Sequence, residues 1–226
     1  MLKKIININL NQVYSRYEAV LGAIMLIIFS GGVIAHTSEK LYAFSVQTTE
    51  ILLYAVGLIV LVIVFKRNHG LKIIFLSTGT LLFTFVMEAT GVHTGDIFGH
   101  YSYGSIFSVK VLDVPIIITI NWLVLILSVN EMMAGFTRKT LLHGLLVAIV
   151  IVFFDFIMEP VAMHLVYWNW MGGVIPLQNY MAWFVIALIP SLLYHYFKIR
   201  INSIALKAYF ISQFIFFLLL NVHIHI

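Results

Sequence analysis

Seven long apolar runs divide this chain, and they constrain its fold more than any other feature. A helix that crosses a bilayer needs about 20 mainly apolar residues. The runs that reach or approach this length are Tyr17–Ala35, Ser45–Phe65, Leu71–Thr90, Pro115–Asn130, Leu141–Leu165, Asn179–Phe197 and Ile204–Asn221. They predict an all-α integral membrane protein, a seven-transmembrane-helix bundle in which residues 1–226 form a single transmembrane domain.

The composition excludes several classes of protein. Hydrophobic residues make up 62% of the chain and charged residues only 10%, whereas soluble domains carry about 25% charged residues. The formal charge of +4 is not gathered into a basic patch on a polar scaffold, so we expect no nucleic-acid partner. The absence of cysteine excludes disulfides and thiolate metal ligands. We also predict no cleaved signal peptide, because no small-residue cleavage site follows the first long run.

The basic residues predict how the bundle is oriented. If there are seven spans, most of the 13 Lys and Arg residues lie on one side of the membrane, and only Lys40 and Lys110 lie on the other. The positive-inside rule then places the N-terminus in the cytoplasm and the C-terminus outside. We therefore expect a multi-pass protein of the cell's inner (cytoplasmic) membrane.

Three acidic residues lie deep in the predicted spans. Asp155 and Glu159 are four residues apart, so a helix places them on one face, and Glu88 lies at a similar depth in the third run. An ionisable side chain in a span costs about 2.5–3.5 kcal/mol on insertion scales and usually faces the bundle interior. These acids predict a polar pocket in the outer half of the membrane. A protonated or hydrogen-bonded structural pair is the alternative.

The longest connection, residues 92–114, is rich in glycine and aromatic residues. Gly91, Gly95, Gly99 and Gly104 are closely spaced, with aromatic side chains between them. Glycine permits tight turns and close approach of the backbone. We predict that this segment folds back over the pocket as a lid, and a mobile surface loop is the alternative.

The histidines do not suggest a metal centre. Membrane di-iron enzymes use HxxxH and HxxHH clusters, because several imidazoles must converge on two irons, and here the histidines are scattered. Glu88, His93 and His100 are the weak remaining combination for a single ion. We predict neither a metal nor another cofactor.

The same residues carry a family resemblance. EATGVHTGDIFGHYSYG, VPIIITINW and DFIMEPVAMHLVYWNWMGGVIPLQNYMAW resemble the carotenoid biosynthesis protein family of membrane carotenoid 1,2-hydratases, of the γ-carotene 1′,2′-hydratase and bisanhydrobacterioruberin hydratase type. The matching positions are Glu88, Gly91, Phe98, Gly99, Tyr101, Tyr103, Pro115, Trp122, Asp155, Glu159, Pro160, Trp168, Trp170, Pro176, Asn179 and Trp183. They cover about half of the chain, and Glu159 stands where many members have Asp.

The resemblance implies an enzyme that adds water to the terminal C1–C2 double bond of an acyclic (ψ) carotenoid end group. An isolated alkene is a very weak base, so it needs a desolvated acid to protonate it. We predict Asp155 or Glu159 as the acid and Glu88 as the group that activates water, with exchanged roles as the alternative. The expected substrate-binding residues are Phe98, Tyr101, Tyr103, Asn121, Trp122, Trp168, Trp170, Asn179 and Trp183. The expected partners are a lycopene- or γ-carotene-like carotenoid, the lipid bilayer and other enzymes of carotenoid biosynthesis.

Two other functions fit the same residues. A lycopene-cyclase-like enzyme begins with the same protonation, but an internal alkene captures the cation instead of water. A non-enzymatic carotenoid-binding or transport protein would use the acids for structure alone. We expect at least one of Glu88, Asp155 and Glu159 to be protonated at neutral pH, and that one to be the catalytic acid, because like charges in an apolar site oppose each other's ionisation.

Overall fold

The protein is a helical bundle with two short β-ribbons at one end. A computed structural model describes the backbone of residues 2–225 and the side chains of residues 15–225. The helices are α1 (Leu2–Thr37), α2 (Tyr42–Arg67), α3 (Leu71–Thr94), α4 (Ile116–Met132), α5 (Thr140–His164), α6 (Leu177–Tyr196) and α7 (Ile204–Ile224). The strands are β1 (Tyr101–Tyr103), β2 (Lys110–Val111), β3 (Val114–Pro115) and β4 (Trp168–Trp170), and a turn of 3₁₀ helix (Met171–Gly173) follows β4.

The seven-helix prediction is confirmed for the described chain. Six of the helices are long and apolar enough to cross a membrane, which makes this a multi-pass membrane protein. The exception is α4, whose 17 residues lie at the lower limit of about 17–25 for a span. Which end of the bundle faces the cytoplasm stays a prediction.

Helix α4 is the centre of the bundle. Its residues 122–131 are all buried, and it contacts α2, α3, α5, α6 and α7. A helix that is apolar all round packs in the interior of a bundle rather than against lipid or water. Around it, α5 packs extensively on α6, and α1 packs on α7.

Proline and glycine mark several helix ends. Pro115 and Pro176 are the N-caps of α4 and α6, where a missing backbone N–H costs nothing because no intrahelical acceptor exists there. Gly95 ends α3 in a left-handed conformation with φ of 75°, which glycine adopts without the steric cost of a Cβ. These ends set where the connecting segments leave the bundle.

Both β-ribbons lie at the end of the bundle where α3 and α5 end, which we call the loop end. There, segment 95–115 folds back onto the bundle, as predicted for a lid, and β1 pairs with β4 while β2 pairs with β3. Glu50 of α2 holds this segment down, since it accepts hydrogen bonds from Ser108 N (2.9 Å), Ser108 Oγ (2.6 Å) and Val109 N (3.2 Å). The alternative of a mobile surface loop does not fit these contacts.

Candidate active site

The ribbon formed by β1 and β4 carries four aromatic hydrogen-bond donors into the bundle. Residues two apart on a strand share one face, so the sequences Tyr-Ser-Tyr and Trp-Asn-Trp each present two aromatic rings together. The strands are antiparallel, with Tyr101 opposite Trp170 and Tyr103 opposite Trp168. The intervening Asn169 is exposed, whereas both tryptophans are buried. The ribbon therefore turns one aromatic face towards the helices.

Glu88 of α3 receives the two tyrosines. Its Oε2 accepts hydrogen bonds from Tyr101 OH (2.7 Å) and Tyr103 OH (2.6 Å), and its Oε1 accepts one from Trp122 Nε1 of α4 (2.8 Å). The residue is only 4% exposed. Three donors directed at one carboxyl group stabilise its ionised form, whereas its burial among apolar side chains opposes ionisation.

Burial and the neighbouring Glu88 raise the pKa of both phenols, Tyr101 and Tyr103, well above their ordinary value. A phenol with a raised pKa is protonated at neutral pH, and it stays protonated at alkaline pH values at which an ordinary tyrosine has lost its proton. Tyr101 and Tyr103 therefore keep their protons at neutral pH and donate them in hydrogen bonds to Glu88.

Glu159 of α5 receives the two tryptophans of the opposite strand. Its Oε2 accepts from Trp168 Nε1 (2.9 Å) and Trp170 Nε1 (2.8 Å), and its Oε1 accepts from Asn179 Nδ2 of α6 (3.2 Å). An indole N–H is a donor only, so these contacts fix the orientation of the Glu159 carboxyl. The ribbon thus clamps two acids from two helices, one with each strand.

Asp155 lies one helical turn before Glu159, as its spacing predicts, and Asn179 joins the two. Asn179 Nδ2 also donates to Asp155 Oδ2 (2.8 Å), and the two carboxyl groups neighbour each other. Asp155 is completely buried, and its Oδ1 has no hydrogen-bond partner among the described residues. With fewer donors and an apolar surrounding, Asp155 favours its neutral form more than Glu88 or Glu159 does.

Aromatic packing closes the site around the acids. Trp122 and Trp183 lie against each other, with ring centroids 3.9 Å apart. Phe98 packs edge-on against Tyr101, and a Cβ at Gly91 would lie 2.5 Å from the Phe98 ring. Gly91 is three residues after Glu88 on α3, so this glycine lets the returning segment approach the helix that carries the acid.

Asn121 has two hydrogen-bond partners on α7 that were not predicted from the sequence. Asn121 Oδ1 accepts from Tyr209 OH (2.7 Å) and Gln213 Nε2 (3.0 Å). Because Asn121 Oδ1 already accepts these two hydrogen bonds, the Asn121 N–H₂ group is the part of the side chain that can donate to a molecule in the cavity. Tyr209 and Gln213 are four residues apart in an apolar helix, as Asp155 and Glu159 are in theirs. Because residues at this spacing share one face of a helix, the pattern could have predicted that both side chains point into the bundle.

One cavity of about 250 Å³ unites most of these residues. All the predicted site residues except Asp155 line it: Glu88, Phe98, Tyr101, Tyr103, Asn121, Trp122, Glu159, Trp168, Trp170, Asn179 and Trp183. Asp155 is linked to Glu159 through Asn179. The structure therefore brings the three acids together, with two at the cavity wall and the third joined to one of them by a shared hydrogen-bond donor.

Within residues 15–225, no group of three or more His, Asp or Glu side chains is arranged to hold a metal ion. His93 Nδ1 bonds to the Ala89 carbonyl (2.8 Å) and its Nε2 lies 3.6 Å from exposed Asp113. The His100 ring packs where a Cβ of Gly95 would stand. Neither histidine lines the cavity that holds Glu88.

A model of the carotenoid biosynthesis protein family matches residues 48–226, which include every predicted site residue. The chain belongs to the carotenoid biosynthesis protein family. Membership gives it a role in carotenoid biosynthesis and is consistent with an enzyme of carotenoid metabolism. No curated protein and no solved structure matches the chain significantly.

Proposed function

We propose that this member of the carotenoid biosynthesis protein family is a carotenoid hydratase. It adds water across the terminal C1–C2 double bond of an acyclic end group and gives a tertiary alcohol. The observation that carries the proposal is the pairing of two buried carboxyl groups across one aromatic cavity, one held by Tyr101, Tyr103 and Trp122 and the other backed by Asp155.

The first step is proton transfer to the alkene. Asp155 and Glu159 are neighbouring acids in an apolar site, so the pair holds one proton between them. Glu159 faces the cavity and delivers that proton to the less substituted carbon of the double bond. The alkene's π electrons form the new C–H bond, which leaves a tertiary carbocation on the other carbon and adds one negative charge to the acid pair, whose two members are then both carboxylates.

The cation forms among aromatic rings and opposite a carboxylate. The faces of Trp122 and Trp183, which line the cavity, stabilise a desolvated cation by roughly 0.5–2 kcal/mol each. Glu88 adds the attraction of its negative charge, which is strong where water is excluded. The site therefore favours the charge distribution of the intermediate over that of the neutral alkene.

Water captures the cation in the second step. Its oxygen forms the C–O bond, and Glu88 accepts the proton that the water loses. Asn121, with its N–H₂ group free of Tyr209 and Gln213, is suited to hold the oxygen of this water. The proton on Glu88 returns to the Asp155–Glu159 pair before the next turnover, so alkene and water are the only reactants consumed.

Expression in a lycopene-producing bacterium, followed by mass analysis of the pigments, tests the proposal. A gain of one water per reacted end group supports a hydratase. Pigment of unchanged mass with an altered spectrum identifies a cyclase, and unchanged pigment with protein present identifies a binding protein. Either of these two results overturns the proposal.

Amide variants test the acids themselves. Glu88→Gln, Asp155→Asn and Glu159→Gln keep the shape of each side chain, and an amide oxygen can still accept from Asn179 or from the ribbon donors. We expect normal membrane yield but loss of hydration for Glu159→Gln, because an amide cannot protonate an alkene. Hydration near the wild-type rate in all three variants would assign the acids to structure.

A further inference from the structure

The cavity extends beyond the acids in one direction, towards α1 and α2. On that side its wall consists of residues of α1 and α2, among them Ile28, Gly31 and His36 of α1 and Phe44, Thr48 and Leu52 of α2. The ribbon, α3, α5 and α6 close the opposite side, where the carboxyl groups lie. The carboxyl groups that line the cavity thus lie on the side away from α1.

The cavity opens to the outside between α1 and α2. Among the described residues that line it, only Ile28, Gly31 and Phe44 are exposed on the surface of the bundle. Phe44 is 66% exposed and Ile28 37%, and all three are apolar. An apolar opening on the side of a membrane bundle faces lipid tails rather than water, because the helices that frame it are transmembrane.

The cavity is too small for a whole carotenoid. Pockets that enclose a drug-sized ligand measure about 300–1,000 Å³, and this one measures about 250 Å³. A carotenoid is longer and bulkier than such a ligand. One end group therefore fills the cavity, and the polyene must leave through the opening at Ile28, Gly31 and Phe44.

We infer that the gap between α1 and α2 is a lateral portal through which the end group of a linear polyene enters from the bilayer. The rest of the polyene stays in the lipid, so its length and its far end are not recognised. The substrate class is then any long apolar polyene with one unmodified acyclic end. This inference rests on the proposed function for the identity of the substrate, while the portal itself rests on the residues that line the cavity and on the exposure of three of them.

Gly31→Trp is the variant that tests the portal. A Cβ at Gly31 meets no atom within 4 Å, so an indole has room to grow outwards and narrow the opening without disturbing the helix. Gly79 of α3 is the matched control, because it is also an exposed helical glycine with no atom within 4 Å of an added Cβ. Gly79→Trp adds the same bulk to the lipid-facing surface away from the cavity.

Two readouts separate the portal from the chemistry. The variants are purified from a lycopene-producing bacterium, and both the carotenoid bound per protein and the hydrated product are measured. We expect bound carotenoid and hydrated product both to fall about tenfold in Gly31→Trp, because the indole overlaps sterically with the entering end group. Gly79→Trp should match the wild type in both quantities. Gly31→Leu, with less bulk, should fall between them and serves if Gly31→Trp gives too little folded protein.

The outcomes are distinct. A wild type that binds lycopene but makes no alcohol defeats the proposed function, and loss of bound pigment in Gly31→Trp still supports the portal. Wild-type levels of bound pigment in Gly31→Trp overturn the portal. The portal is also overturned if the wild type retains no lycopene and makes no alcohol. Equal losses of bound pigment in Gly31→Trp and Gly79→Trp overturn it too.

Discussion

Tyr101 and Trp170 face each other across the β1–β4 ribbon, with ring centroids 5.1 Å apart, and donate hydrogen bonds to different acids. Tyr101 donates to Glu88 and Trp170 donates to Glu159. Because one ribbon holds both carboxyl groups, their separation is set by strand pairing, a rigid hydrogen-bonded geometry, rather than by two independent helices. This arrangement fixes the width of the cavity between the two carboxyl groups.

Removing one ribbon donor should impair the chemistry without unfolding the protein. Trp170→Phe keeps an aromatic ring but removes the N–H that reaches Glu159 Oε2. A hydrogen bond to a charged group contributes about 1.5–3 kcal/mol, so we expect the hydration rate to fall about tenfold or more. The measurement is the initial rate of hydration in membranes, normalised to folded protein.

Trp183→Phe is the control for Trp170→Phe. Trp183 also lines the cavity, but its indole N–H donates to no group among the described residues. This variant should lose much less activity than Trp170→Phe. Equal losses in the two variants would show that ring volume, and not the hydrogen bond to Glu159, accounts for the effect.

The phenols beside Glu88 should not titrate where ordinary tyrosines do. Burial and Glu88 raise the pKa of Tyr101 and Tyr103, so both keep their protons as pH rises past about 10, the ordinary value for tyrosine. Spectrophotometric titration to about pH 11 should give the same number of tyrosinates for the wild type and for a Tyr101→Phe/Tyr103→Phe double variant. Two more tyrosinates in the wild type would contradict this.

The sequence predicts the helices and the acids well because both signals are local. Hydrophobic run length identifies the seven helices, and the four-residue spacing of Asp155 and Glu159 places them on one face. The depth of Glu88 in its run places it in the same layer. These inferences depend on helix geometry, which is nearly the same in every protein.

The donors to the acids were harder to predict, because they depend on strand pairing between distant segments. The alternation in Tyr-Ser-Tyr and Trp-Asn-Trp is a two-residue pattern, but each strand has only three residues. Such short runs give little indication of structure on their own. The contributions of Tyr209 and Gln213 also depend on how α7 rotates against α4, which hydropathy does not specify.

Gly104 should be essential for the ribbon. Its backbone N–H donates to the Tyr167 carbonyl (2.9 Å) directly beside β4, and an added Cβ would lie 2.0 Å from the Val166 carbonyl oxygen. Gly104→Ala must therefore push the two segments apart, at a cost of about 1–3 kcal/mol. We expect a lower thermal stability together with loss of hydration.

Gly79→Ala is the reference for Gly104→Ala, since it adds the same methyl group where no atom lies within 4 Å. It should leave both stability and hydration unchanged. If Gly104→Ala were as stable and as active as Gly79→Ala, the close approach of the segment at Gly104 to β4 would not be needed to hold the donors in place.

The last prediction concerns a buried polar cluster far from the cavity. Asn130 is completely buried and bonds to Ser191 Oγ (2.9 Å), to the Ile126 carbonyl (2.8 Å) and to His143 Nε2 (2.9 Å). Asn130→Ala leaves the Ser191 and His143 groups without their partner, which costs about 1–3 kcal/mol. None of these residues lines the cavity, so we expect lower thermal stability with unchanged hydration per folded protein.

Asn179→Ala provides the opposite case, because Asn179 lines the cavity and joins Asp155 to Glu159. Its loss should remove the donor that holds the two carboxyl groups together and so abolish most of the hydration, even in protein that remains folded. Comparing the two asparagine variants by thermal unfolding and by rate per folded protein separates a structural polar cluster from a catalytic one. A loss of rate in Asn130→Ala as large as in Asn179→Ala would mean that the chemistry also depends on the interior of the bundle at the opposite end from the ribbon.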